Sequence, residues 1–314
     1  MLTTVALLAL AKPSISGWVV AFNPDSVASL AKNHAKVDEV MLEWIKCTVD
    51  GRAVRRDEFP KETYAAMLAT ARRGKTRVLG MTSNYLNELG GFSPKPVQAF
   101  LNDPAKMRAH VDQLVGIAEA DKLDGLDIDY ESMEAGDRDR FTRFIEMLGE
   151  ALRAKKKVLS VTVHPKDSEP GNWDGPKAQD WAKLGKAADI FRVMCYDMHW
   201  SSSDAGSIAG TPWAERVMKF AATLIPARKL EMGVACYGYD WRVKPATSLT
   251  FKDTSGLGAF TLDSGSGERV WGGKVHFSGP EAVAQKLELA KKLGLRGISM
   301  WYIGSEDPGI WKLF

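Results

Sequence analysis

The 314-residue sequence has little of what metal, redox and membrane proteins depend on. Three cysteines are too few for a disulfide framework, and no Cys-x-x-Cys pair offers a zinc site. The five histidines (His34, His110, His164, His199 and His276) are scattered and form no His-Glu-x-x-His element. No apolar run approaches the roughly 18–20 residues of a membrane span. Forty-two basic and 39 acidic side chains leave a net charge of +3, too small and too dispersed for a nucleic-acid-binding surface. Linker-like tracts and internal repeats are missing too, which points to one domain. With 45% apolar and 26% charged residues, the composition excludes wholesale disorder. The one excess is tryptophan: ten, against seven tyrosines. Indoles are large and serve either packing or ligand stacking.

Short β-rich runs alternate with helical periodicity, the pattern of an α/β fold with a parallel sheet. Eight runs read as strands: Ile15–Phe22, Val37–Cys47, Arg77–Met81, Gly125–Tyr130, Val158–Val163, Ile190–Met198, Leu230–Tyr237 and Gly297–Ile303. Between them, Asp103-Pro104 has the cap chemistry of a helix start. Phe141, Phe144, Ile145, Leu148 and Leu152 form a helical stripe. An open doubly wound sheet would carry a glycine-rich turn after its first strand, where Phe22-Asn23-Pro24 stands instead. A closed (β/α)8 TIM barrel over residues 15–314 is the expected fold, with a small β-rich, glycine-punctuated insertion at about 242–279 before the last helix. Residues 1–14 begin with the apolar stretch Met1–Ala11, ending Ala9-Leu10-Ala11. They read as a remnant export signal or as a lead-in to the first strand.

The segment Asp124-Gly125-Leu126-Asp127-Ile128-Asp129-Tyr130-Glu131 breaks the rule that enclosed parallel strands are apolar. Leu126, Ile128 and Tyr130 point to one face, and Asp127, Asp129 and Glu131 to the other. Three stacked carboxylates would cost several kcal/mol if they were merely structural. Mutual repulsion raises at least one of their pKa values. Glu131, last in the row, falls nearest the C-terminal mouth, where barrel active sites lie. A carboxyl group held protonated near neutral pH is what general-acid cleavage of a glycosidic bond needs. A metal site is the rival chemistry, but no histidine-rich partner accompanies the acids.

This segment resembles the DxxDxDxE signature of family-18 glycoside hydrolases, the chitinase superfamily. Met194-Cys195-Tyr196-Asp197 is similar to the family's MxYD element, Gly233 to Trp241 to its seventh-strand motif, and Gly297-Ile298-Ser299-Met300-Trp301 to its eighth strand with a subsite tryptophan. Within the family the chain most resembles the spore-germination, cortex-lytic type, through Trp44–Arg56, Val217–Ala221 before Ile225-Pro226, and Gly304-Ser305-Glu306-Asp307-Pro308. The SxGG element found after the third strand of many chitinases is absent, with Gly80-Met81-Thr82-Ser83-Asn84 in its place. The insertion is short beside that of deep-cleft chitinases, and wall-binding LysM repeats are missing.

The resemblance implies a retaining, substrate-assisted hydrolase of β-linked N-acetylglucosamine-containing glycans, most simply peptidoglycan, with chitin oligosaccharides or N-glycans as alternatives. It implies Glu131 as acid and base, Asp129 as the group that holds the acetamido N–H and offsets the developing positive charge, Asp127 as support for Asp129, and Tyr196 as a donor to the acetamido oxygen. Trp301, Asp197, Tyr239, Trp241 and Asn84 would bind the sugar, and Asp124 and Gly125 complete the motif. No cofactor or metal is implied. A polymer substrate favours export and a monomer suffices for it. A sugar-binding lectin of the same fold is the other class, and such proteins lose the terminal acid that Glu131 retains here.

Overall fold

The computed structural model describes residues 12–314; the Met1–Ala11 stretch lies outside the described residues. Eight strands form the barrel: β1 (Ser14–Val19), β2 (Glu39–Cys47), β3 (Arg77–Ser83), β4 (Gly125–Asp129), β5 (Val158–Val163), β6 (Ile190–Met194), β7 (Leu230–Ala235) and β8 (Gly297–Ile303). Each pairs in parallel with its sequence neighbour, and β1 pairs with both β2 and β8, so the sheet closes. The fold is the expected TIM barrel. Closure leaves no central strand edge and buries both faces of every strand.

Helices return the chain between strands. Asp103 caps the helix Pro104–Ala120, accepting from the N–H groups of Ala105 and Lys106. The stripe from Phe141 to Leu152 buries one side of the helix Arg138–Ala154 against the barrel. Gly125 opens β4 where the backbone of β5 presses closest. A Cβ there would meet the Val158 carbonyl oxygen at 2.1 Å, so no other residue fits without moving the pair.

Four runs read past their strand ends, two of them by three residues or more. β1 ends at Val19 rather than Phe22, and β6 at Met194 rather than Met198. Apart from Asp197, the extra residues are apolar or aromatic and build the walls above the barrel. After β7 comes a five-stranded antiparallel sheet in the order Thr247–Leu249, Gly238–Asp240, Val275–Phe277, Arg269–Trp271, Thr261–Leu262. It starts at Gly238, and its first strand carries Tyr239 to the barrel mouth.

Candidate active site

The interior of the barrel is polar at mid-height. Asp127 on β4 is fully buried and fully bonded. It accepts from Trp18 Nε1 (3.1 Å), Ser160 Oγ (2.5 Å) and Thr162 Oγ1 (3.1 Å), and Arg192 Nη1 lies 3.3 Å away. Arg192, on β6, has no exposed side-chain surface. It also binds Glu231 of β7 through Nε at 3.0 Å, and Glu39 of β2. Sequence reasoning missed this set. The signal was present, since Arg192 and Glu231 are single charges inside otherwise apolar barrel strands, and Glu39 opens a strand that also carries Glu43 and Lys46.

One step up, Asp129 is 3% exposed, and its Oδ1 has no hydrogen-bond partner among the described residues. Burial, then Glu131 and Asp127, push its pKa well above the usual carboxylate range, against a small opposing pull from Arg56. Glu131 lies just past the end of β4, its side chain about one-fifth exposed. Burial, and after it Asp197, push its pKa up to about 8. A carboxyl in that state is protonated at neutral pH and can donate. The nearby Tyr196 is held protonated by burial and by the surrounding acids.

Glu131, Tyr196, Asp197 and Tyr239 share one cavity of about 730 Å³ with His164, Trp173 and Trp200. Asp197 adopts a left-handed φ of 56° and accepts hydrogen bonds from the hydroxyls of Tyr237 and Tyr239, the latter at 3.2 Å. Burial raises its pKa, and the two tyrosine hydroxyls work against the rise. Trp301 borders this cavity's apolar wall and lines a second cavity of about 390 Å³. Its ring meets Trp18 edge-on at 5.5 Å.

Two expected sugar contacts lie elsewhere. Asn84 is fully buried, with both ends of its amide committed to backbone. Its Oδ1 accepts from Glu131 N (2.9 Å), and its Nδ2 donates to Glu131 O (2.8 Å) and Ser93 O (2.8 Å). It fixes the chain at Glu131 instead of facing substrate. Trp241 is 4% exposed, packed between Tyr239 and His276, and donates Nε1 to Trp200 O at 3.2 Å. It supports the wall from behind. Asp124 is exposed at the foot of β4, where it accepts from Val78 N at 2.8 Å.

The tryptophans divide accordingly. Trp18, Trp44, Trp181 and Trp311 are buried packing. Trp173 and Trp200 stand 45% and 50% exposed on the cavity that holds Glu131. The three cysteines are buried and free, so Cys195 and Cys236 form no bridge.

A closed parallel barrel with a protonated carboxyl at its C-terminal mouth, beside a buried acid and aromatic walls, defines a glycoside hydrolase. Residues 84–306 match the glycosyl hydrolases family 18, and the chain belongs to that family. It is 27% identical to a Bacillus subtilis protein described as an uncharacterized glycosylase, YvbX, over 95% of this chain and 90% of that one. It is 26% identical to the cortical fragment-lytic enzyme of Bacillus anthracis over 82% of this chain, and spans 64% of that enzyme's length. Among solved structures, a class V chitinase from Pseudomonas fluorescens superposes with a TM-score of 0.88 at 26% identity, covering 96% of this chain and 98% of the other.

Proposed function

We propose that this glycoside hydrolase cleaves β-linked N-acetylglucosamine-containing glycans with retention and substrate assistance, and that its polymer is peptidoglycan. The observation that carries the reading is Glu131, a carboxyl with its pKa pushed up to about 8 at the barrel mouth, next to an acid with a free oxygen. In this reading Glu131 protonates the leaving glycosidic oxygen. The carbonyl oxygen of the sugar's own 2-acetamido group attacks the anomeric carbon, and the C–O bond to the leaving group breaks. The unpartnered Oδ1 of Asp129 accepts the acetamido N–H and offsets the positive charge that develops there. Asp127, bonded on all sides, holds the charge distribution below Asp129. Tyr196 donates its hydroxyl to the acetamido oxygen, Trp301 floors the sugar, and Asp197 and Tyr239 bind its hydroxyls. Glu131 then takes a proton from the incoming water, which opens the ring intermediate from the same face.

The likeness to the cortical fragment-lytic enzyme supports peptidoglycan. A second reading, chitin oligosaccharides, is favoured by the near-complete overlap with the class V chitinase. Mass spectrometry of products from purified peptidoglycan and from chitin oligomers, incubated in parallel, separates the two. Products ending in N-acetylglucosamine from peptidoglycan support the first reading. Cleavage of chitin alone supports the second.

A further inference from the structure

The net charge of +3 hides a separation that only the closed barrel produces. All eight strands run parallel, so the segments that lead into them meet at one end, the base, opposite the mouth that holds Glu131. These segments are residues 12–13, 34–38, 72–76, 121–124, 155–157, 188–189, 225–229 and 293–296. They hold twelve Lys and Arg against four Asp, a formal +8. The segments that follow the strands are residues 20–23, 48–60, 84–93, 130–137, 164–180, 195–210, 236–279 and 304–314. They hold eleven Lys and Arg against nineteen Asp and Glu, a formal −8. The last turns of the helices that reach the base widen the contrast, with Lys32, Arg153, Lys186, Lys291 and Lys292 against Glu119.

The acids of the base are committed to the scaffold. Asp38, Asp124 and Asp189 accept from the N–H groups of Ile15, Val78 and Leu159 at 2.8, 2.8 and 2.9 Å, and Asp121 pairs with Arg55 at 2.7 Å. Many of the cations are not. Lys12, Arg73, Lys75, Lys122, Lys156 and Arg228 are exposed and form no ion pair among the described residues. A helix macrodipole favours a cation in the last turn. It leaves out Lys12, which follows no described helix, and Lys75 and Arg228, which lie a full turn past theirs. Seven of the eight segments contribute a cation, so the charge is spread around the whole base rather than along one track. The chain also enters the base at Lys12, directly after the uncharged stretch Met1–Ala11. An apolar stretch joined to a basic face is the two-part chemistry of attachment to anionic lipid.

We propose that the base of the barrel docks on an anionic lipid surface and holds the acidic mouth pointing away from it. This docking does not depend on the hydrolase reading, and it would present the cleft to glycan lying beyond the membrane. The probe is the full chain with vesicles of phosphatidylcholine containing about 30% phosphatidylglycerol, set against vesicles of phosphatidylcholine alone, and bound protein is read by sedimentation. Binding is expected to the first and not the second, and to fall at least tenfold as salt rises from about 0.1 M to about 1 M. Replacing Arg73, Lys75 and Arg228 together by Gln should weaken it about a hundredfold, and Arg228→Gln alone, for use if the triple variant folds poorly, about fivefold. Lys61, Lys95 and Lys106 are exposed at helix starts on the mouth side, and changing all three to Gln alters the net charge equally. That variant should bind within about twofold of the unaltered chain. Equal binding to both kinds of vesicle, full binding by the base variants, or an equal loss in the mouth-side variant would overturn the proposal. Retention on immobilised polyphosphate with no binding to either vesicle would overturn it too, since the face would then serve a polyanionic chain rather than a bilayer.

Discussion

Nε2 of His164 lies 3.7 Å from Oε2 of Glu131 and has no hydrogen-bond partner among the described residues. Burial drives the pKa of this histidine down to about 3, so the imidazole beside the acid is neutral throughout the working range. The imidazole then does not draw the Glu131 proton away, and burial, with Asp197 after it, opposes its loss. The expected result is a kcat/KM profile that falls as pH rises through about 8. Replacing His164 by Gln, which is also neutral, should leave that limb within about half a unit. A rise of a unit or more in the variant would mean that the histidine is charged.

Glu131→Gln should lower kcat by about 10²–10⁴-fold while oligosaccharide affinity stays within a few-fold. Single-turnover kinetics with a chromogenic chitobioside, alongside calorimetry, would check it. Near-native turnover would remove Glu131 from its assigned role.

The same substitution has an effect on stability whose sign follows from the raised pKa. Below the unfolded value of about 4.5 the acid is protonated in both states and contributes no pH dependence. Between there and about 8 the unfolded chain releases its proton and the folded chain keeps it, so the native state is progressively penalised. Glu131→Gln should therefore stabilise the protein by about 1–3 kcal/mol at pH 8, and by almost nothing at pH 4. Urea unfolding at the two pH values reads this directly.

Arg192→Met should cost about 3–5 kcal/mol, because Asp127 would lose the one cation it touches while remaining buried. Chemical denaturation would measure the loss. Glu39 and Glu231 each keep Arg296 as a second partner, so the damage should centre on Asp127.

Asn84→Ala removes two hydrogen bonds to the backbone of Glu131 and one to Ser93. Because the side chain has no open face to the cavity, kcat should fall about tenfold or more with KM little changed. A rise in KM alone would return Asn84 to the sugar-binding set.

The barrel was legible in the sequence because each strand is a short apolar run bounded by cap or turn chemistry. The acids of β4 were legible because alternating carboxylates violate that pattern three times in one segment. Arg192 and Glu231 violate it once each, and a lone charge in an apolar run has no period to betray it, while Glu39 stands at the start of a strand that also carries Glu43 and Lys46. Their meaning exists only once closure brings three separate strands around one guanidinium. Asn84 follows the end of β3 as read, whereas Trp241 lies past Gly238–Asp240 in the antiparallel sheet, and both side chains are held by neighbouring protein groups. A side chain at a strand end can turn to the cleft or to the adjoining loop, and packing across the barrel mouth decides which. Phe22 and Met198 extended their runs because cleft walls are as apolar as strands.

The two solvent-facing indoles on the cavity of Glu131 also equip the protein with an optical gauge. Most of the other tryptophans emit from dry surroundings, whereas Trp173 and Trp200 emit partly from water. A pyranose laid across either ring would displace that water. Its arrival would register as a blue shift of the red edge of the intrinsic fluorescence, with no label attached.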